Sequence, residues 1–219
     1  MRIFASFLFL FIAATASAQE KLITLEDLWR DGTFAVKSVS GFSALKDGEH
    51  YTDLTMDSSG YTIREKSLLA GSLIKTLYKG KLPVEEYILS EAQDKILLFT
   101  GSENIYRRSI LHYVYIYDIA SGRETILDTA KVLHATFSPD GSKVAYVKDN
   151  NLYYKDLASG KTVGVTSDGA RNKIINGNCD WVYEEEFEFS RAYQWSPDGK
   201  YLAYYHFDET GVPQYTMTV

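Results

Sequence analysis

The sequence predicts an all-β protein: a partial β-propeller of about three four-stranded blades plus the start of a fourth, with a short acidic helical insertion. Three observations predict it. Short runs of alternating apolar and polar residues are broken repeatedly by Asp-Gly, Ser-Gly and Lys-Gly, the residues that supply positive φ in tight hairpins. The same four-run outline returns at a near-constant interval. Tyrosine supplies 17 of the 219 residues, and its ring suits the half-buried face of a pleated sheet.

The clearest unit begins at Ala135. Ala135–Ser138 is a strand, Pro139-Asp140-Gly141 a turn, and Lys143–Val147 the next strand. Asn151–Asp156 follows, then the turn Ala158-Ser159-Gly160, then a closing strand over Lys161–Thr166. Upstream, Leu89-Ser90, Lys95–Phe99, Tyr113–Asp118 and Glu124–Leu127 repeat that order, with Ala120-Ser121-Gly122 at the second turn. Downstream, Trp195-Ser196-Pro197-Asp198-Gly199 with Tyr201–Tyr204 opens another copy. The aligned serines at 90, 138 and 196 stand 48 and then 58 residues apart. That interval suits blades of about 40–50 residues with an insertion in one. A weaker copy lies between Gly41 and Gly80. Before the blades, Ile23–Trp29 reads as one brief amphipathic helix, with Thr24 as its cap and Asp27 completing an imperfect capping box. Closed propellers have about 4–8 blades, so the chain is expected to be a fragment or the product of a truncated reading frame.

Composition sets outer bounds. With 45% hydrophobic residues, 24% charged residues and only 4 prolines, the chain is that of a folded globular protein. A net charge of −6 without a Lys/Arg run excludes the basic face that a nucleic-acid partner requires. The four histidines, at 50, 112, 134 and 206, lack metal-ligand spacing, so neither a metal nor another cofactor is expected. Met1-Arg2, the apolar run Ile3–Ala14 and Ala16-Ser17-Ala18 form a secretory signal pattern, with cleavage after Ala18. The run is shorter than the ~20 residues of a membrane span. The expected organisation is therefore a signal peptide over 1–18, an N-terminal segment over 19–40 and an incomplete propeller over 41–219. The product is exported, periplasmic or secreted, with no transmembrane segment after cleavage. Cys179 is the sole cysteine and cannot form an internal disulfide. It is either a buried small hydrophobe or a partner for polypeptide outside this chain.

The extra length before the last blade holds Asn176-Gly177-Asn178-Cys179-Asp180-Trp181-Val182-Tyr183-Glu184-Glu185-Glu186-Phe187-Glu188-Phe189. Four carboxylates within five residues sit among four large rings. Asp180 is placed to cap a short helix, whose dipole favours early glutamates. The rings are expected to anchor the segment and hold the carboxylates in place. Two neighbouring carboxylates repel unless a cation lies between them, and such a pair receives an ammonium group through short charge-assisted hydrogen bonds. A solvated acidic turn is the other reading of these residues.

Asp180-Trp181-Val182-Tyr183-Glu184-Glu185-Glu186-Phe187, followed by Trp195-Ser196-Pro197-Asp198-Gly199-Lys200-Tyr201-Leu202-Ala203-Tyr204, resembles the signature region of dipeptidyl peptidase IV proteins in the prolyl oligopeptidase clan. Thr24–Leu28 with Gly32-Thr33-Phe34 is similar to their N-terminal segment. The resemblance implies that Glu185 and Glu186 bind the free amino terminus of a peptide substrate. It implies that Arg107, in Tyr106-Arg107-Arg108, reaches the carbonyl of the substrate's N-terminal dipeptide, with Arg108 as the alternative. It also implies hydrolysis by a serine on a C-terminal α/β-hydrolase domain, release of Xaa-Pro or Xaa-Ala dipeptides, and a possible homodimer. No Gly-x-Ser-x-Gly elbow occurs here: Ser43 follows Gly41-Phe42 but precedes Ala44-Leu45. This chain is thus expected to be the substrate-recognition part of a serine dipeptidyl peptidase, inactive alone. The alternative is a non-enzymatic exported propeller that binds or scaffolds.

Overall fold

The computed structural model describes residues 22–36 and 42–216. The expected signal peptide and its cleavage site lie outside them. The chain divides into two compact units, 1–39 and 40–219. In the first, α1 (Leu25–Trp29) carries a complete capping box. The Asp27 N–H donates to Thr24 Oγ1 at 3.1 Å, and the Thr24 N–H donates to Asp27 Oδ2 at 3.1 Å. Aspartate at the third position therefore serves where the usual motif has Glu or Gln.

The second unit is built of antiparallel meanders. Blade 1 comprises β1 (Ser43–Ala44), β2 (His50–Asp57), β3 (Gly60–Ser67) and β4 (Leu73–Gly80); blade 2 comprises β5 (Glu86–Leu89), β6 (Lys95–Asn104), β7 (Ile110–Asp118) and β8 (Arg123–Ile126). Blade 3 comprises β9 (Leu133–Phe137), β10 (Lys143–Lys148), β11 (Asn151–Asp156) and β12 (Thr162–Gly164). In each, the strands lie side by side in chain order. The weak copy expected between Gly41 and Gly80 is thus a full four-stranded sheet. Its first strand has only two residues, which is why its sequence outline is faint.

A local side-chain device explains the repeat. Ser90, Ser138 and Ser196 each accept, on Oγ, the N–H five residues on, at 3.0, 2.9 and 2.9 Å. Each also donates to the next aspartate, Asp94, Asp140 or Asp198, at 2.6–2.7 Å. The hydroxyl thereby satisfies turn groups that no ladder reaches. At the second turn, Asp118 and Asp156 accept the N–H groups of Ser121 and Ser159 at 2.8 Å.

Strand alternation sends successive residues to opposite faces, and each face meets a different neighbour. On β6, Ile96 and Leu98 pack toward blade 1 with Ile63, Leu77 and Tyr78, while Leu97 and Phe99 pack toward blade 3 with Val132, Val144 and Tyr146. On β10, Val144 and Tyr146 face blade 2, while Ala145 and Val147 face Tyr193 and Trp195. The buried stretches Ile96–Phe99 of β6 and Val144–Val147 of β10 are therefore apolar on both faces. Burial on both faces is the packing that propeller blades require.

Beyond blade 3 come β13 (Ile174–Asn176), α2 (Trp181–Phe187), β14 (Tyr193–Trp195), β15 (Leu202–Tyr204) and β16 (His206–Asp208). β14 pairs with β15, the expected opening hairpin of a fourth blade, but β16 turns away to pair with β13. The insertion is thus stitched to the fourth unit by a sheet that the repeat did not predict. Gly177 makes the crossing possible. Its φ is +72°, and an added Cβ would stand 3.2 Å from Val147 Cγ2 and 3.3 Å from Leu152 Cδ1. Strain and crowding both reserve that position for glycine. Its N–H donates to the Tyr205 carbonyl at 3.1 Å, and its own carbonyl accepts from the Ala192 N–H at 3.1 Å.

Candidate functional site

The acidic run lies on α2. Asp180, extended at φ −77° and ψ 172°, caps the helix by accepting the Tyr183 N–H at 2.8 Å. Glu188 ends it in the left-handed region at φ 58°. The base is closed by Cys179, whose Sγ–H donates to the Phe189 carbonyl at 3.0 Å. Burial, with Glu184 and Asp180 nearby, pushes the Cys179 thiol up to about 12. It is therefore a protonated, buried small side chain, and it is free of any disulfide.

Rings hold the segment, although not the four expected. Tyr183 lies 4.9 Å from the Phe207 ring and 5.6 Å from Phe189, and Phe189 lies 5.8 Å from Tyr205. Trp181 and Phe187, in contrast, are 54% and 64% exposed. Among the described residues, Phe187 makes ring contact with the cluster only through Tyr183, at 5.1 Å. The supporting partners Tyr205 and Phe207 come from the fourth unit.

Successive helical residues point about 100° apart, so three consecutive glutamates cannot share a face. Glu184 turns inward and is 1% exposed. Its Oε1 accepts the N–H groups of Arg108 and of Ser109, the latter at 3.0 Å. Its Oε2 accepts the Ser109 Oγ–H at 2.5 Å. The sequence reading left this residue without a role. Glu185 is half-buried, and its Oε2 stands 3.3 Å from Arg107 Nη2. Glu186 is exposed. Glu188 Oε1 stands 3.5 Å from Arg108 Nη2, between two exposed side chains.

The arginines sit at the tip of the β6–β7 hairpin, where the N–H groups of Ile105 and Tyr106 both donate to the Ser109 carbonyl. The geometry distinguishes the two candidates: Arg107 meets Glu185, and Arg108 meets Glu188. The Arg107 side chain is 72% exposed, so this ion pair adds only about 0–1 kcal/mol to stability. The arginine side of the pair is open to solvent, whereas the Glu185 side chain is 18% exposed.

A cavity of about 1000 Å³ lies beside this corner, bounded by Tyr106, Trp181 and Val182 on one side and by Lys148, Asn150 and Phe207 on the other. Neither Glu185, Glu186 nor Arg107 lines it. Behind the arginine loop, His134 Nε2 meets Asn178 Oδ1 at 2.8 Å, and burial lowers the imidazole to about 4, which keeps it neutral. Among the described residues no group of three or more His, Cys, Asp or Glu could hold a metal, and no helix is long and apolar enough to cross a membrane.

Residues 90–219 match the family model described as the dipeptidyl peptidase IV N-terminal region. Human prolyl endopeptidase FAP is 32% identical over 197 residues, which cover 88% of this chain and 25% of that protein. Dipeptidyl aminopeptidase B of Saccharomyces cerevisiae is 35% identical over 174 residues, covering 75% of this chain and 21% of that one. The crystal structure of Porphyromonas gingivalis dipeptidyl peptidase 4 superposes with a TM-score of 0.81 at 37% identity, covering 90% of this chain and 29% of that one. The chain thus spans about a quarter of the relatives it matches. The repeated blades, the acidic helix beside an arginine hairpin and these likenesses agree: the chain belongs to the dipeptidyl peptidase IV family, as part of its N-terminal propeller region.

Proposed function

We propose that this chain is the substrate-reading part of an exported serine dipeptidyl peptidase, in which Glu185 and Glu186 grip the amino terminus of a peptide. The observation that carries the reading is the Glu185–Arg107 pair at 3.3 Å, with Glu186 one residue on. An ammonium group carries three donors, enough to engage both carboxylates. Arg107, already beside Glu185, is placed to donate to a carbonyl of the same peptide. Such a clamp fixes the peptide from its first atom and so acts as a ruler, presenting the bond after the second residue to a nucleophile. Hydrolysis itself belongs to an α/β-hydrolase domain outside residues 1–219, acting by acyl transfer to serine. Preference for proline or alanine at the second residue would reside mainly there. The signal pattern at 1–18 supports export.

The test compares a dipeptide chromogenic substrate bearing a free amine with its N-acetylated twin, using the full-length enzyme. Losing a charged contact that the bound peptide shields from water costs about 2–5 kcal/mol. Acetylation is therefore expected to lower kcat/KM by about thirtyfold or more. Equal rates for the two substrates would refute the ammonium clamp.

A further inference from the structure

We propose that Glu184 is the positioning residue of this site: its buried carboxylate locks the Arg107–Arg108 hairpin onto α2 and so sets the distance between Arg107 and Glu185. The inference rests on the ammonium-clamp reading above. One side chain here takes three hydrogen bonds, from the N–H of Arg108, the N–H of Ser109 and the hydroxyl of Ser109. All three donors are neutral, and the carboxylate is 1% exposed. A carboxyl group so deeply placed depends on these donors, because burying it without partners is costly. The donors are 75 and 76 positions away in sequence, so the bonds bridge two separate elements, the β6–β7 hairpin and α2.

The placement ties this contact to the clamp. Arg107 directly precedes the first donor, and Glu185 directly follows the acceptor. Displacing the hairpin from the helix therefore also shifts the backbone that carries Arg107 relative to the backbone that carries Glu185. The Arg107–Glu185 pair is too exposed to hold itself together. The buried carboxylate is what gives it a fixed geometry.

Glutamine at 184 can keep most of this arrangement. Its Oε1 accepts both N–H groups, and its amide N–H can donate to Ser109 Oγ with the hydroxyl reversed. Alanine keeps none of it. The experiment measures KM and kcat of full-length Glu184→Ala, Glu184→Gln, Ser109→Ala and Glu185→Ala with a free-amine dipeptide substrate, on samples whose circular dichroism matches the parent. For Glu184→Ala, KM is expected to rise about tenfold to a hundredfold, with kcat changing far less. Glu184→Gln is expected to recover most of that loss, and Ser109→Ala to show a KM increase of about threefold. Should Glu184→Ala not fold, Ser109→Ala decides. An unchanged KM in folded Glu184→Ala, or failing that in Ser109→Ala, overturns the inference while a damaged Glu185→Ala leaves the clamp standing. An unharmed Glu185→Ala overturns both.

Discussion

Replacing Glu185 or Glu186 by alanine in the full-length enzyme is expected to lower kcat/KM for dipeptide release by roughly thirtyfold to several-thousandfold. The range follows from a loss of about 2–5 kcal/mol when a charged contact that the bound peptide shields from water is truncated. Glu185→Ala is expected to be the more damaging of the two. It removes an acceptor and also strips Arg107 of its partner at 3.3 Å. An unpaired guanidinium then faces the incoming ammonium, and like charges at that range repel. Adding Arg107→Ala to Glu185→Ala should therefore cost less than the two single effects combined. Stability should hardly respond. Glu186 is exposed, and the pair at 107 and 185 is open to solvent on the arginine side. Unfolding midpoints within about 0.5 kcal/mol of the parent are expected, so lost activity would reflect the site rather than the fold.

The second large effect concerns the blades. Leu97→Ala is expected to destabilise the propeller by about 2–5 kcal/mol, the range for emptying a buried leucine site. Leu97 is fully buried between blades 2 and 3, against Val114, Val132, Val144 and Tyr146. Strands from both sides fix the cavity walls, so collapse to refill the space is limited. Leu69→Ala supplies the contrast: the same atoms are removed from a side chain that is 99% exposed, and the change should stay within about 0.5 kcal/mol. Urea unfolding followed by tyrosine fluorescence measures both. Equal midpoints for the two variants would contradict inter-blade packing as the source of stability.

The blades were legible because their signals are local. A serine and an aspartate within a few residues tie each turn through their own side chains, as Ser138 and Asp140 do, beside a residue at positive φ such as Gly141. Such bonds leave a mark in the sequence wherever they recur. The β13–β16 pairing left none. Each strand has three residues, some thirty positions apart, and the enabling feature is the crowded backbone at Gly177. The expectation about the four rings failed for a related reason. Composition shows that aromatics surround the acidic run, but only helical phase and the distant residues Tyr205 and Phe207 decide that Tyr183 and Phe189 are the anchors.

Glu184 shows the same limit at the site. In a run of three glutamates each residue reads as a solvated charge, and its donors are main-chain groups of a hairpin 75 positions upstream. The one local hint is the cap at Asp180, which fixes the phase of the helix and hence which glutamate turns inward. Glu185, Glu186 and Arg107 came instead from the resemblance, and the fold brings Glu185 and Arg107 within 3.3 Å of each other.

The most direct measurement joins the two halves of the clamp in one cycle: kcat/KM for a free-amine dipeptide substrate and its acetylated twin, each with the parent enzyme and with Glu185→Ala/Glu186→Ala. If those carboxylates hold the substrate's positive end, the parent will discriminate strongly against the acetylated peptide and the double variant will barely discriminate. A penalty for acetylation that survives undiminished in the double variant would mean that the amino terminus is read elsewhere.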